Sequence, residues 1–373
     1  MSEILDDLME EGIREYNLCS ACRFCIGYCP VWDALDRIFF GFKKESVDHR
    51  DIEYFAYLCH DCRNCYYACP YRQPHELNIN IPKLNSMLRE KVNNSYVWPG
   101  FMRGMLKRQY MYMTSSIMAF LALAFVLTAI VGDLSALMLP IHSIYHVMPS
   151  IYIEMIGSVL GVWGMTLLIY EGARYWKSIN GNYKGIFNGR LHLYALRDTF
   201  MHLWFRANGE GCDYPGEYGS FSRFYLHLLM FTGMLVDLVA TITALYAQNI
   251  LGYYPPYSLF SFPVMLGIMG GALILVGVVG LLVLKESANS KLIESAWIET
   301  DRAMLYLLLA IVVSGFVITS MRSMPFAGLM FLVHISLVAT LFVSAPYSKL
   351  VHIIYRYLAV VKYYYDKRIL SAV

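Results

Sequence analysis

Hydrophobic and polar positions divide the chain into two unlike parts near Trp98 and Pro99. The first part is rich in Cys, Asp, Arg and Asn, and the second is built of long apolar stretches. Six such runs follow one another, at roughly 114–132, 151–170, 223–247, 263–284, 303–321 and 326–345. Each has the length, about 20 residues, that a helix needs to cross a hydrocarbon core of roughly 30 Å, where only helix satisfies the backbone of a single segment. A large soluble protein with buried helices is the competing explanation, and so dense a succession of runs argues against it. Two further segments, 186–205 and 347–365, are amphipathic. In the second, Tyr347, Leu350, Val351, Ile354, Leu358 and Val361 fall at helical spacing. Both read either as interfacial helices on the cytoplasmic side or as helices packed against the others. In the first part, sparse Gly and abundant Leu, Tyr, Arg and Glu predict helix. Pro82 opens one at its first position, and Lys83 to Lys91 continue it.

Basic residues give the orientation. Arg103, Lys107 and Arg108 precede the first run, and Arg174, Lys177, Lys184, Arg190, Arg197 and Arg206 lie between the second and third. Lys285 and Lys291 separate the fourth and fifth, and Lys349, Arg356, Lys362, Lys367 and Arg368 follow the sixth. Segments 133–150 and 248–262 hold no Lys or Arg, and the loop after the fifth run has only Arg322. The positive-inside rule therefore puts both termini in the cytoplasm of a multi-pass protein of the inner membrane. The composition, 57% hydrophobic and 16% charged with a mean hydropathy of +0.45, excludes a disordered or ordinary soluble chain. A net charge of +2 and the lack of a basic-aromatic stripe set nucleic acid aside as a partner. Met1 to Leu8 is acidic and lacks an apolar h-region, so no cleavable signal is expected.

Eight of the nine cysteines lie in two copies of one pattern, 40 residues apart. Cys19, Cys22, Cys25 and Cys29 precede Pro30, and Cys59, Cys62, Cys65 and Cys69 precede Pro70. Spacings of two and three residues put neighbouring thiols on one short turn, which suits an inorganic cluster better than pairwise disulfides. Such thiols need a reducing compartment, again the cytoplasm. C-x2-C-x2-C-x3-C-P is a ferredoxin-type ligand run, in which three thiolates hold one 4Fe-4S cubane and the remote fourth serves the other. Cluster one is expected on Cys19, Cys22, Cys25 and Cys69, and cluster two on Cys59, Cys62, Cys65 and Cys29. Zinc is the rival ion, but it takes four ligands and seldom draws three thiolates from one such run. Thiolate-bound cubanes are one-electron carriers tuned by nearby charge and solvent, so a pair implies a relay. The expected fold class is all-α: a helical two-cluster ferredoxin-like domain over 1–98, then a six-helix transmembrane bundle over 99–373.

Ionisable residues inside apolar runs are costly and mark either a site or a satisfied packing position. His227 lies about a turn into the third run, Asp237 near its middle, and His334 near the middle of the sixth. Paired imidazoles on facing helices hold b haem as an electron carrier, which makes His227 and His334 candidate axial ligands on the cytoplasmic side. Hydrogen-bonded core histidine is the commoner condition. His202 and His352, near the cytoplasmic interface, are substitutes for either ligand, neighbours of a quinone headgroup, or surface histidines. Asp237 is a candidate for the haem or quinone environment, relaying a proton to quinone, unless Thr241, one turn on, simply satisfies its carboxyl. His142 and His146, four residues apart in the first external loop, would share a helix face, a spacing that serves a metal. There is no G-x-G-x-x-G after a strand and no nucleophile motif, so substrate oxidation is not expected of this chain.

The stretches L-C-S-A-C-R-F-C-I-G-Y-C from Leu18, L-C-H-D-C-R-N-C-Y-Y-A-C-P from Leu58 and P-H-E-L from Pro74 resemble the tricarballylate- and citrate-utilisation protein B family. So do G-C-D-Y-P-G-E from Gly211, P-Y-S-L-F-S-F-P-V-M-L-G from Pro256 and A-P-Y-S-K-L-V-H from Ala345, and the resemblance spans nearly the whole chain. It implies a membrane iron-sulfur protein with b-type haem. Such a protein reoxidises an FAD-containing dehydrogenase on the cytoplasmic face and passes its electrons towards the quinone pool. His227, His334 and His352 stand at matching positions. Ser150, Leu228 and Gln248 stand where many relatives have histidine, and loss of the two near the external face, Ser150 and Gln248, removes an outer haem site. Cys212, within the loop motif, reads as a buried or weakly reactive thiol. The rivals are a redox-sensing or assembly anchor and a redox-driven pump. The pump would need buried charge along several helices, where the sequence has mainly Asp237 and Glu154.

Overall fold

Among the described residues the cysteine-bearing region holds five α-helices. These are α1 Ser2–Cys22, α2 Pro30–Asp36, α3 His49–Leu58, α4 Asn64–Tyr67 and α5 Ile81–Tyr96. The computed structural model describes residues 2–138, 140 and 144–371 of the 373. Extended backbone at Cys29 followed by Pro30 starts α2. Asp48 caps α3 by accepting from the backbone of Arg50 and Asp51, and Asp51 returns the bond. Asn80 caps α5 through the N–H of Lys83, and Ile81 takes the first helical position, so Pro82 stands second rather than first. α3 is the hub of this head, with Ile52, Phe55, Ala56, Tyr57 and Leu58 fully buried. Tyr16 of α1 packs its ring 4.8 Å from that of Phe55 and bonds Asn85 of α5.

The rest of the chain is α6 Gln109–Val131, α7 Ile144–Val147, α8 Ser150–Ser178, α9 Tyr183–Ile186, α10 Gly189–Phe200, α11 Ser222–Asn249, α12 Phe262–Ser287, α13 Ser295–Met321, α14 Ala327–Ser344 and α15 His352–Ser371. A two-stranded antiparallel hairpin, β1 Cys212–Asp213 and β2 Gly219–Ser220, precedes α11. Among the described residues six helical spans are long and apolar enough to cross a membrane: α6, α8, α11, α12, α13 and Ala327–Tyr347, which begins with α14. The most apolar windows of α6, α8 and α11 are each only 11% buried, and that of the last span 44%. Helices of a soluble core would hide those faces, so the exposed apolar surface fits lipid and the protein is a multi-pass membrane protein. α11 and α12 approach closely because glycine lines their seam: a Cβ on Gly233 would stand 2.7 Å from the Gly270 carbonyl.

Between the two amphipathic stretches, the structure distinguishes clearly. α10 keeps Leu193, Tyr194 and Phe200 exposed on an apolar face suited to the membrane interface. α15 instead folds back into the head, burying Tyr355, Ala359, Val360 and Val361 in the same core as α1, α3 and α5. Tyr355 stacks on Tyr175 of α8 at 4.8 Å and meets Tyr57 of α3 edge-on at 4.9 Å, so one aromatic cluster ties head, bundle and tail together.

Candidate functional site

Cys19 and Cys22 end α1, and Cys25 follows in a turn wound by left-handed backbone at Arg23 (φ 57°) and Gly27 (φ 99°). Cys69, from the second copy of the pattern, lies beside these three. The four border a surface-open cavity of about 330 Å³, backed by Trp32, Leu35 and Ile79. Cys59 ends α3, Cys62 follows between two left-handed residues, Asp61 (φ 54°) and Arg63 (φ 68°), and Cys65 sits in α4. Cys29 joins these from the first copy. The groups adjoin where Cys25 Sγ comes 4.0 Å from the Cys65 carbonyl.

Among the described residues no three Cys, His, Asp or Glu side chains converge tightly enough to hold one metal ion. Cys19, Cys22, Cys25 and Cys69 stand around a volume instead, as suits a cubane in which each thiolate meets a different iron. Burial, reinforced by neighbouring cysteines, pushes the thiols of Cys25 and Cys29 up to about 12. Burial also raises Cys19, Cys62, Cys65 and Cys69. Without a cation these groups stay neutral, so ligation has to displace their protons.

Cationic side chains gather at the second thiol group. Arg89 of α5 donates Nε to the Ala56 carbonyl and Nη2 to that of Cys59, each at 2.6 Å. Arg356 of α15 donates to the Cys59 carbonyl at 3.0 Å, and Arg223 of α11 to those of His60 and Asp61 at 3.0 and 2.5 Å. Arg63 is buried over the Tyr214 ring at 4.4 Å. Asn64 fastens the hairpin to the thiol loop by donating to the Gly211 carbonyl and accepting from the Asp213 N–H. Cys212 is buried, with its thiol directed at the Phe205 carbonyl at 3.1 Å. Sequence reasoning did not single out Arg89, Arg223 and Arg356 for this role. They come from three distant helices, and no spacing links them.

His227 and His334 are not brought together. His202 Nε2 lies 2.8 Å from His227 Nδ1, and these two line a cavity of about 50 Å³ with His60 and His352. His334 bonds Ser314 at 2.9 Å and lines a separate apolar cavity of about 270 Å³ with Phe120, Leu127 and Ile153. α14 runs towards the head from the far side, so a residue near its middle lies well away from the first turns of α11. The histidine cavity has room for a water or two, and a porphyrin does not fit it as the helices stand. Burial lowers His60 and His202, and lowers His352 to about 3, so these imidazoles are neutral.

The expected bond to the Asp237 carboxyl is also absent. Thr241 Oγ1 donates to the Asp237 backbone carbonyl at 3.0 Å, while the carboxyl lies against Gly270, where a Cβ would come 2.3 Å from Oδ1. At the far end, Gln248 accepts from Tyr145 and donates to Glu154. His142 lies outside the described residues, and the carbonyl of His146 accepts from the Asp133 N–H at 3.0 Å.

A helical head with two four-thiol groups, seated on six apolar helices, defines a membrane protein of the iron-sulfur type. Residues 103–372 match the family model described as citrate utilization protein B, and residues 12–94 match the citrate utilization protein B Fer4-like domain. The chain is 31% identical over 370 residues to citrate utilization protein B of Escherichia coli, covering 98% of this chain and 95% of that protein. It belongs to the citrate utilization protein B family. No solved structure matches it.

Proposed function

We propose that this chain carries electrons from the reduced flavin of an FAD-containing dehydrogenase, acting on a tricarballylate- or citrate-type acid, to quinone in the cytoplasmic membrane. What carries this assignment is the order of the thiol groups. Cys19, Cys22, Cys25 and Cys69 border a cavity open at the surface, and Cys29, Cys59, Cys62 and Cys65 follow on the side bonded to α11 and α15. Each set would hold one 4Fe-4S cubane, and such a group supplies one-electron transfer when bound.

The chain's own residues give that transfer an entrance and a direction. Phe24, Ile26 and Phe40 are exposed near Cys22 and form an apolar collar on which the dehydrogenase docks. Arg89, Arg223 and Arg356 place positive charge along the second set and favour its more negative, reduced state. Within that set Cys59 and Cys62 are buried, while Cys65 also borders the surface cavity. Residues 1–98 act as the head and 99–373 as the membrane part, with both termini in the cytoplasm. The basic ends of the spans support this orientation, because Arg223, Lys285 and Lys349 lie at the end facing the head. His202 and His227 bond one another directly, so no step is routed through haem at that pair.

Protein purified without oxygen is expected to hold about eight irons per chain and to show two reduced EPR signals. It should also reduce a quinone analogue stoichiometrically when given the reduced flavoprotein. Zinc in place of iron, or an absence of turnover with every organic-acid dehydrogenase supplied, overturns the assignment.

A further inference from the structure

The seam between head and bundle holds a further cavity, of about 130 Å³, which adjoins the histidine cavity at His227, His352 and Arg356. One wall is polar, formed by Asp61 and by Arg89, Arg223 and Arg356, whose N–H groups already serve the carbonyls of residues 56–61. At its side Asp301 of α13 holds Lys285 of α12 and Lys349, each Nζ 2.5 Å from a carboxylate oxygen. Lys349 also stands 3.8 Å over the ring of Trp297. The opposite wall is apolar: Met230, Met234, Leu281, Met304, Leu305 and Leu308, from α11, α12 and α13.

Five basic side chains therefore face two carboxylates in one partly open space at the seam. Buried positive charge in such excess is costly, and it is kept where negative charge has to be received. The apolar wall asks for a body that partitions from the bilayer. The cations are already bonded to carbonyls and to Asp301, so what remains to them suits an oxygen that gains charge during a reaction. A permanently charged phosphate would compete with Asp301 for both lysines.

We propose that this cavity binds the ring of a lipid-soluble quinone, with one carbonyl oxygen towards the Lys285–Asp301–Lys349 group and the ring faces against the methionine and leucine wall. This rests on the electron-carrier function above. Reduction there adds two electrons, drawn from the partner's flavin through the head, and two protons from the cytoplasmic side. Both carbonyl oxygens become hydroxyls, and no bond to the protein forms.

The test is photolabelling of the full-length, iron-loaded protein in lipid nanodiscs with an azido-naphthoquinone, mapped by peptide mass spectrometry. Label is expected within 223–234, 297–308 or 349–356. It should fall about tenfold, a loss of roughly 1.4 kcal/mol in affinity, in Asp301→Asn and in Met304→Trp, which fills the apolar side. Glu286→Gln, whose carboxylate pairs with Arg302 outside the cavity, should label as the parent does. Iron content and melting temperature identify any variant that fails to fold, and either of the two cavity variants suffices. Label concentrated around His334, or undiminished in a folded cavity variant, overturns the site. So does phospholipid phosphorus retained by the parent and lost in Lys285→Gln, with the cavity unlabelled, because the occupant is then a lipid headgroup. Correct labelling of protein that carries no iron would sink the electron-carrier function and leave the quinone site standing.

Discussion

Cys22, in the first thiol group, is exposed, with Phe24 and Phe40 beside it 60% and 58% exposed, whereas Cys59 and Cys62 of the second are buried. The first group looks into a surface cavity, and the second is held between α5, α11 and α15 by three arginines. The two groups use the same C-x2-C-x2-C-x3-C-P run, so the difference lies entirely in what the rest of the chain packs around each. Identical donors in unlike surroundings give unlike potentials, and a gradient from the wet site to the dry one needs no difference in the cysteines.

The largest expected effect tests how the thiols are shared. Cys69→Ser should lower iron from about eight to about four per chain and abolish the same EPR signal as Cys19→Ser. Cys29→Ser should abolish the signal that Cys59→Ser removes. If Cys69→Ser instead erased the Cys59 signal, each run would hold its own cluster and the comparison would collapse. Next comes accessibility: under a ferrous chelator, iron should leave in two phases of equal amplitude, the exposed site roughly tenfold faster, as expected where local opening is easy. A single phase would mean that burial does not separate the sites.

Charge comes third. Arg89→Gln or Arg356→Gln should lower the midpoint of the second site by about 60 mV, a tenfold change in a one-electron equilibrium. The first site should stay put, and Arg356→Lys should recover part of the shift. The smallest effect belongs to Glu15, behind the first group. Burial raises its carboxyl to about 8, and it accepts from the Asn80 N–H at 3.0 Å. Its unfolded value is about 4.3, so the folded head binds the extra proton between the two values. Its stabilising contribution is full below the lower value and is lost as pH rises towards about 8. Glu15→Gln should flatten the fall of melting temperature across that window, and an unchanged slope would place the titration elsewhere.

Apolar length was legible in the sequence wherever lipid dictates it, and the run 263–284 matches α12, Phe262–Ser287, closely. The estimate fell short where charge interrupts a helix. α13 begins at Ser295 rather than near 303 because Asp301 and Arg302 find buried or seam partners in Lys285, Lys349 and Glu286. α8 continues past 170 because Arg174 bonds the Ser95 and Tyr96 carbonyls of the head. The cysteine repeat marked all eight thiols, and the structure brings the two runs side by side, with Cys69 near Cys19 and Cys25 and with Cys29 near Cys59. The histidine pairing failed because depth in the bilayer and lateral neighbour are set by helix direction and packing, to which local pattern is blind.

Residue spacing and hydrophobicity were enough for the six spans, the helical character and the two cysteine runs, because each is a short-range property of consecutive side chains. The merging of α15 with the head, the meeting of Arg89, Arg223 and Arg356 at one loop, and the cation-lined seam beneath it come from folding. These features join residues up to 330 positions apart, and such neighbours become adjacent only when the buried faces of separate helices close on one another.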